Sequence, residues 1–140
     1  MPSRESQHDK ERIDVAGPTA LGDAVSATRR YASDRGLGPR DSARICIIVE
    51  ELVTNLLEHG QSNDDPRIGI EIGRNATSLT LLIEDNGPVF DPRVAPKAAD
   101  MPIRGGGAGL RLVSAWSDVV GYQTSQGQNR LELFMPLTEV

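Results

Sequence analysis

Glu51, Asn55 and His59 recur at intervals of four in the stretch EELVTNLLEHG, which runs from Glu50 to Gly60. On a helix that spacing stacks a carboxylate, a carboxamide and an imidazole along one line, beside an apolar stripe built for a core. A carboxylate next to a carboxamide oxygen offers hard ligands, the kind that suit a magnesium ion sharing its shell with phosphates and water. The carboxylate alternatively serves as a base, because a free glutamate titrates near pH ~4.3 and is ionised at neutrality. Taken alone, the same residues also make an ordinary solvated helix face.

Two other segments carry chemistry. In IEDNGPVFDP, Asp85 falls where a buried strand ends, a common place for a ligand group to meet a cleft. A carboxylate there accepts hydrogen bonds from an exocyclic amine and so separates adenine from guanine at that edge. Gly87 lets the chain approach a flat base, although D-N-G by itself is an ordinary turn. In RGGGAGLRLV, Gly105, Gly106, Gly107 and Gly109 lead directly into a helix, so backbone amides and the positive end of the helix face one space. Phosphate oxygens fit that arrangement. The spacing is not that of a Walker loop or of a dinucleotide-binding turn, and a hinge before a helix is the alternative.

The elements that must position these groups follow from periodicity. The first dozen residues are polar and aperiodic and are expected to form a loose arm, leaving residues 13–140 as a single domain. RIDVAG is expected to be a short edge strand. Leu21, Ala24, Val25, Thr28 and Ala32 then recur at helical spacing up to Gly36, with Thr19 as a candidate N-cap. Gly38-Pro39 opens a second helix whose stripe is Ile45, Ile48, Val49, Leu52 and Leu56; Asp41 suits its positive end and Gly60 stops it. RIGIEIG and LTLLIED alternate with period two across a short NATS link and predict an antiparallel hairpin. The long irregular stretch after Asp85 has the length of a ligand lid or a disordered loop. Leu110, Leu112, Val113 and Trp116 define a third helix, and DVVGYQTS and NRLELFMPL close the chain as strands around Gly127. The expected class is α+β, a two-layer sandwich in which a mainly antiparallel, mixed sheet is covered on one face by helices.

Composition narrows the function. A chain of 140 residues suits one domain, and 38% hydrophobic with 25% charged residues is ordinary for a soluble protein. No apolar run approaches the roughly 20 residues that span a bilayer, and MPSRESQHDKER is unlike a signal peptide, so a cytoplasmic location is expected, with no membrane partner. A net charge of −5 and only 4% aromatic residues argue against nucleic acid. The lone cysteine, Cys46, sits in an apolar run and suits a small buried side chain.

Three segments in this order change the weight of each. E-x-x-x-N ending in HG, D-N-G-P-x-F-D-P, and G-x-G-x-G-L resemble the N, G1 and G2 boxes of the GHKL superfamily of ATPases, of histidine-kinase-like ATPase fold. The closing GQNRLELFMPL is similar to the last strand pair of that superfamily, with Asn129 roughly where a threonine often helps hold adenine. The size, the HG after the first box, the DP after Phe90 and the short lid most resemble stand-alone anti-sigma-factor serine/threonine kinases.

The resemblance runs from about Thr19 to Leu137 and implies ATP and Mg2+ as cofactors. It implies that Asn55 coordinates the magnesium and that Glu51 orients or deprotonates the attacking hydroxyl. Asp85 would accept the adenine amino group beside Gly87, while Gly105, Gly107 and Gly109, followed by Leu110, would cradle phosphates. Either Arg104 or Arg111 would neutralise developing charge. Val89 stands where the usual G1 pattern has a second glycine, and Ala108 lies between glycines of the G2 stretch. The implied partners are an anti-anti-sigma (STAS-type) substrate protein and a sigma factor, with the kinase as a homodimer. The other function considered is a nucleotide-dependent partner-binding module with little or no kinase activity. The catalytic half of a sensor histidine kinase is disfavoured, since no helical hairpin with a phosphoacceptor histidine precedes the ATPase segments.

Overall fold

The computed structural model describes residues 10–60, 65–89 and 106–138. Five strands form one sheet in the order β1-β2-β3-β5-β4, where β1 is Glu11–Ala16, β2 Arg67–Arg74, β3 Ser78–Asp85, β4 Asp118–Ser125 and β5 Gln128–Pro136. Among the described residues every pairing is antiparallel, with no parallel pair in the sheet. The edge strand starts at Glu11, which brings Glu11 and Arg12 into the sheet rather than into the expected arm.

Three helices cover one face: α1 is Ala20–Asp34, α2 Pro39–His59 and α3 Gly106–Trp116. The α1 stripe is shifted from the expected one. Ala24, Thr28 and Ala32 are buried as expected and Ala20, Ala27 and Tyr31 join them, whereas Leu21 and Val25 are only partly covered. Small alanines let the helix axis come close, and Tyr31 fills the space they leave. Thr19 does occupy the N-cap position, yet its hydroxyl donates to Asp23 Oδ2 at 2.8 Å and caps no backbone N–H. The other end is a Schellman turn: Leu37 N–H donates to Ala32 O and Gly36 N–H to Ser33 O, with Gly36 at φ +66°.

Gly38 and Pro39 start α2 as their types require, and Gly60 caps its end by donating to Leu56 O. Ile45, Ile48, Val49, Leu52 and Val53 face Ile68, Ile70 and Ile72 of β2, Leu79, Leu81 and Ile83 of β3, and Leu131, Leu133 and Met135 of β5 in one continuous core. Asp41 does more than face the positive helix end. It is fully buried, and its carboxylate accepts the Thr138 N–H at 3.0 Å and the Thr138 hydroxyl at 2.7 Å, tying the end of the chain to the start of α2.

The hairpin turn is organised by Asn75, whose Oδ1 accepts from Thr77 N, Ser78 N and Ser78 Oγ. Gln126 and Gly127 both have positive φ, 53° and 77°, which makes the β4–β5 connection a type I′ turn matched to strand twist. The open face of the sheet is covered by its own charges. A Cβ on Gly69 would run into the Arg12 guanidinium, so glycine lets Arg12 lie across β2 and donate to Glu84 Oε1 of β3 at 2.6 Å.

Candidate functional site

Period-two alternation decides where Asp85 points. Leu79, Leu81 and Ile83 face the helices, so Asp85 is the last β3 residue on that face; Asn129 holds the same place on β5, directly opposite it. Both are buried, 8% and 4% exposed. Asp85 Oδ2 accepts from Gly87 N at 2.9 Å and from Asn129 Nδ2 at 3.2 Å. Burial pushes the Asp85 carboxyl above the ordinary aspartate value, and those two hydrogen bonds pull it partly back. A Cβ on Gly87 would lie 3.1 Å from Asp85 Oδ2, so glycine permits the tight fold of this corner. Leu56, Leu57 and Gly60 of α2 close a narrow hollow against Asp85 and Gly87.

α2 bears the other polar candidates. Asn55 is 3% exposed, and its Nδ2 has no hydrogen-bond partner among the described residues. Glu51, one turn earlier, is half-buried with Oε1 shielded from solvent. His59 is exposed at the helix end, so only the first two of the three spaced residues share this covered surface. An unpaired buried amide costs about 1–3 kcal/mol, which a purely structural position would be expected to shed. No group of three or more His, Cys, Asp or Glu among the described residues could hold a metal by itself. The oxygens available here are the Asn55 Oδ1 and the Glu51 carboxylate, a set that fits an ion taking one or two protein oxygens and completing its shell with phosphates and water, as magnesium does.

The glycine run differs from its expected form. Gly106, Gly107 and Gly109 lie inside the first turns of α3 rather than in a loop ahead of it, and Leu110 follows in the same helix. Gly105 and Arg104 lie outside the described residues, as does most of the expected lid. The Arg44 guanidinium stacks over the Trp116 ring at 5.1 Å, docking the C-terminal end of α3 near the start of α2. With a rise of about 1.5 Å per residue, α3 spans roughly 15 Å from there, packed against α2. Arg111 is exposed.

Volume does not select this region. One hollow, about 840 Å³, lies at the Asp85 end on the open sheet face, lined by Arg12, Asp14, Arg67, Glu84, Asn86 and the β4–β5 turn. Its charges are already paired with one another, Arg12 with Asp14 and Glu84, Arg67 with Asp65. The helix side of the sheet carries the Asn55 amide, which has no partner among the described residues, and the raised Asp85 carboxyl. Sequence reasoning missed Asn86, whose Oδ1 accepts from Arg67 N at 2.9 Å and whose Nδ2 donates to Asp65 O at 2.9 Å, pinning the start of β2 to the D-N-G turn. Hairpin register held the signal, since pairing Ile68 with Asp85 sets Arg67 opposite Asn86.

The family model described as histidine kinase-like ATPase domain matches residues 15–135. The chain is 31% identical over 115 residues to the sensor histidine kinase TrcS of Mycobacterium tuberculosis, covering 71% of this chain but only 23% of TrcS. It is 27% identical over 133 residues to the serine/threonine-protein kinase BtrW of Bordetella bronchiseptica, covering 91% of this chain and 93% of BtrW. Among solved structures, the histidine kinase domain of the Erythrobacter litoralis blue-light activated histidine kinase superposes with a TM-score of 0.54 at 18% identity, over 86% of this chain and 61% of that one. The catalytic domain of the histidine kinase ThkA gives 0.51 at 13% identity, over 91% and 96%. At such identities the structural likeness speaks for the α+β fold alone. No described helix is long and apolar enough to cross a membrane.

Proposed function

The chain belongs to the histidine kinase-like ATPase domain family, and from that premise we propose that it is a protein serine/threonine kinase of the anti-sigma type. In this proposal it binds Mg-ATP, phosphorylates a small STAS-type anti-anti-sigma protein, and sequesters a sigma factor, acting as a cytoplasmic homodimer. One observation carries the choice within the family. The match to a serine/threonine-protein kinase spans nearly the whole of both chains, whereas the match to the sensor histidine kinase takes in about a quarter of that protein.

The site residues support phosphoryl transfer, which asks for positioning and charge neutralisation more than covalent chemistry. Asp85 would accept the adenine amino hydrogen at the oxygen that Gly87 and Asn129 leave uncommitted, and would repel the carbonyl guanine carries there. The α3 N-terminal amides would donate to phosphate oxygens. Asn55 would hold the magnesium through its carboxamide oxygen, and the metal when bound would neutralise phosphate charge. Glu51 would take the proton of the substrate hydroxyl as its oxygen bonds to the γ-phosphorus and the bond to the β-γ bridging oxygen breaks, leaving ADP.

The test is incubation with γ-labelled ATP, magnesium and purified STAS-type proteins, beside an Asn55→Ala variant. Acid-stable label on serine or threonine, lost in the variant, is the expected result. Acid-labile label would instead indicate a phosphohistidine. ATP binding without any transfer would leave a nucleotide-dependent binding module.

A further inference from the structure

We infer that Asn129 is a positioning residue for the nucleotide: it works through Asp85 and the Gly87–Pro88 main chain, by a clamp made wholly within the protein. The inference rests on the ATP-binding function proposed above and assigns Asn129 a role other than direct contact with the base.

Asn129 Nδ2 lies 3.2 Å from Asp85 Oδ2, 2.9 Å from Gly87 O and 3.3 Å from Pro88 O. All three neighbours are acceptors, so the amide nitrogen and not the oxygen must face them. A carboxamide has only two N–H hydrogens, and three acceptors consume both, one of them shared. No donor of this side chain is left for a base nitrogen. The position is 4% exposed, so water does not compete for these bonds.

The clamp joins three places that would otherwise move independently. It fixes one oxygen of Asp85 and thereby the plane of the carboxylate, which sets the direction in which the other oxygen can accept. It also holds the carbonyls of Gly87 and Pro88, where the chain leaves β3 toward residue 90. A hydroxyl at this position carries a single hydrogen and could satisfy one acceptor but not all three. Charged groups lining the same corner as Asp85 are Arg12 and Asp14 on β1, Asp65 and Arg67 at the start of β2 and Glu84 beside it on β3, while α2 presents Leu56 and Leu57. None of these donates to Asp85 Oδ2 in the way Asn129 does.

The test compares the full-length parent with Asn129→Leu and Asn129→Thr by calorimetric ATP and GTP binding, steady-state transfer, and amide exchange of Gly87 without nucleotide. Asn129→Leu is expected to speed Gly87 exchange and to weaken ATP binding by roughly 10-fold or more, one charge-assisted bond's worth, with kcat at saturating ATP nearly unchanged. Preference for ATP over GTP should shrink, and the pH below which ATP affinity drops should move upward, since Asp85 loses a bond that favours its charged form. Asn129→Thr should fall between parent and Leu. ATP affinity equal to the parent in Asn129→Leu, or an equal loss in kcat and in affinity, overturns the inference, and so does a Thr variant that binds ATP as well as the parent. A parent that itself binds no ATP defeats the underlying function instead, and is recognised by that alone.

Discussion

The Asp85 corner and the Glu51–Asn55 face would serve two ends of one ligand, and they are built on opposite principles. At the corner, polar groups bond to one another: Asp85 Oδ2 receives two donors and Asn129 spends its amide on three acceptors. On α2, Asn55 carries a buried amide nitrogen with no partner among the described residues. The difference teaches how recognition and chemistry divide. A purine must be told from its isosteres, which takes acceptors held still before it arrives. A metal-bound phosphate brings its own strong charge, so the groups that meet it are worth keeping even at a cost to the empty fold.

The contrast breaks most visibly at Glu51. Glu51→Gln is expected to slow phosphoryl transfer roughly 10²–10⁴-fold in single-turnover assays, with ATP affinity in calorimetry held near the parent value. Asp85→Asn should act the other way round, weakening ATP binding by roughly 10- to 100-fold and removing the preference over GTP, as expected for one charged hydrogen bond. If both substitutions damaged binding equally, the division into two ends would be wrong.

Smaller effects sharpen the comparison through stability. Asn55→Leu, similar in volume, should raise nucleotide-free stability in urea melts by about 1–2 kcal/mol while abolishing transfer, because it removes an unsatisfied buried amide. No such gain is expected from Asn129→Leu, where the amide is satisfied. The smallest effect is a pH slope. Burial raises the Asp85 carboxyl above its unfolded value, so the native state holds that proton more tightly than the unfolded chain does. Its contribution therefore loses stability as pH rises from the ordinary aspartate value through the raised one, then levels off. ATP affinity should run oppositely, strengthening over the same window as the accepting carboxylate forms. Urea melts and calorimetry across that range, with Asp85→Asn as the flat control, read both slopes.

Much of this was legible in the sequence for identifiable reasons. Gly38-Pro39 and Gly60 bracket α2 because their backbone preferences are local, and the Ile68–Ile72 and Leu79–Ile83 alternation fixes the hairpin because a one-residue slip would invert both faces. Alternation also carried Asp85 to the helix side. The α1 stripe was less legible: Tyr31 and the alanines are buried because α1 packs between β1 and α2, a choice no periodicity within one helix makes. Gly106, Gly107 and Gly109 suggested a loop because glycine is a poor helix former, yet packing against α2 outweighs about 1 kcal/mol per glycine.

What the sequence by itself determined was the set of chemical groups and the local elements bearing them: Glu51 and Asn55 on a helix, Asp85 at a strand end, glycines before Leu110. Only the tertiary structure decided their partnerships. Asn129 is separated from Asp85 by 44 positions and Thr138 from Asp41 by 97, and each pair is joined through hydrogen bonds that exist solely because β5 lies beside β3 and its end passes the start of α2. Such bonds depend on angles and distances within a few tenths of an ångström, which sheet register and helix docking set together and no short stretch of chain contains.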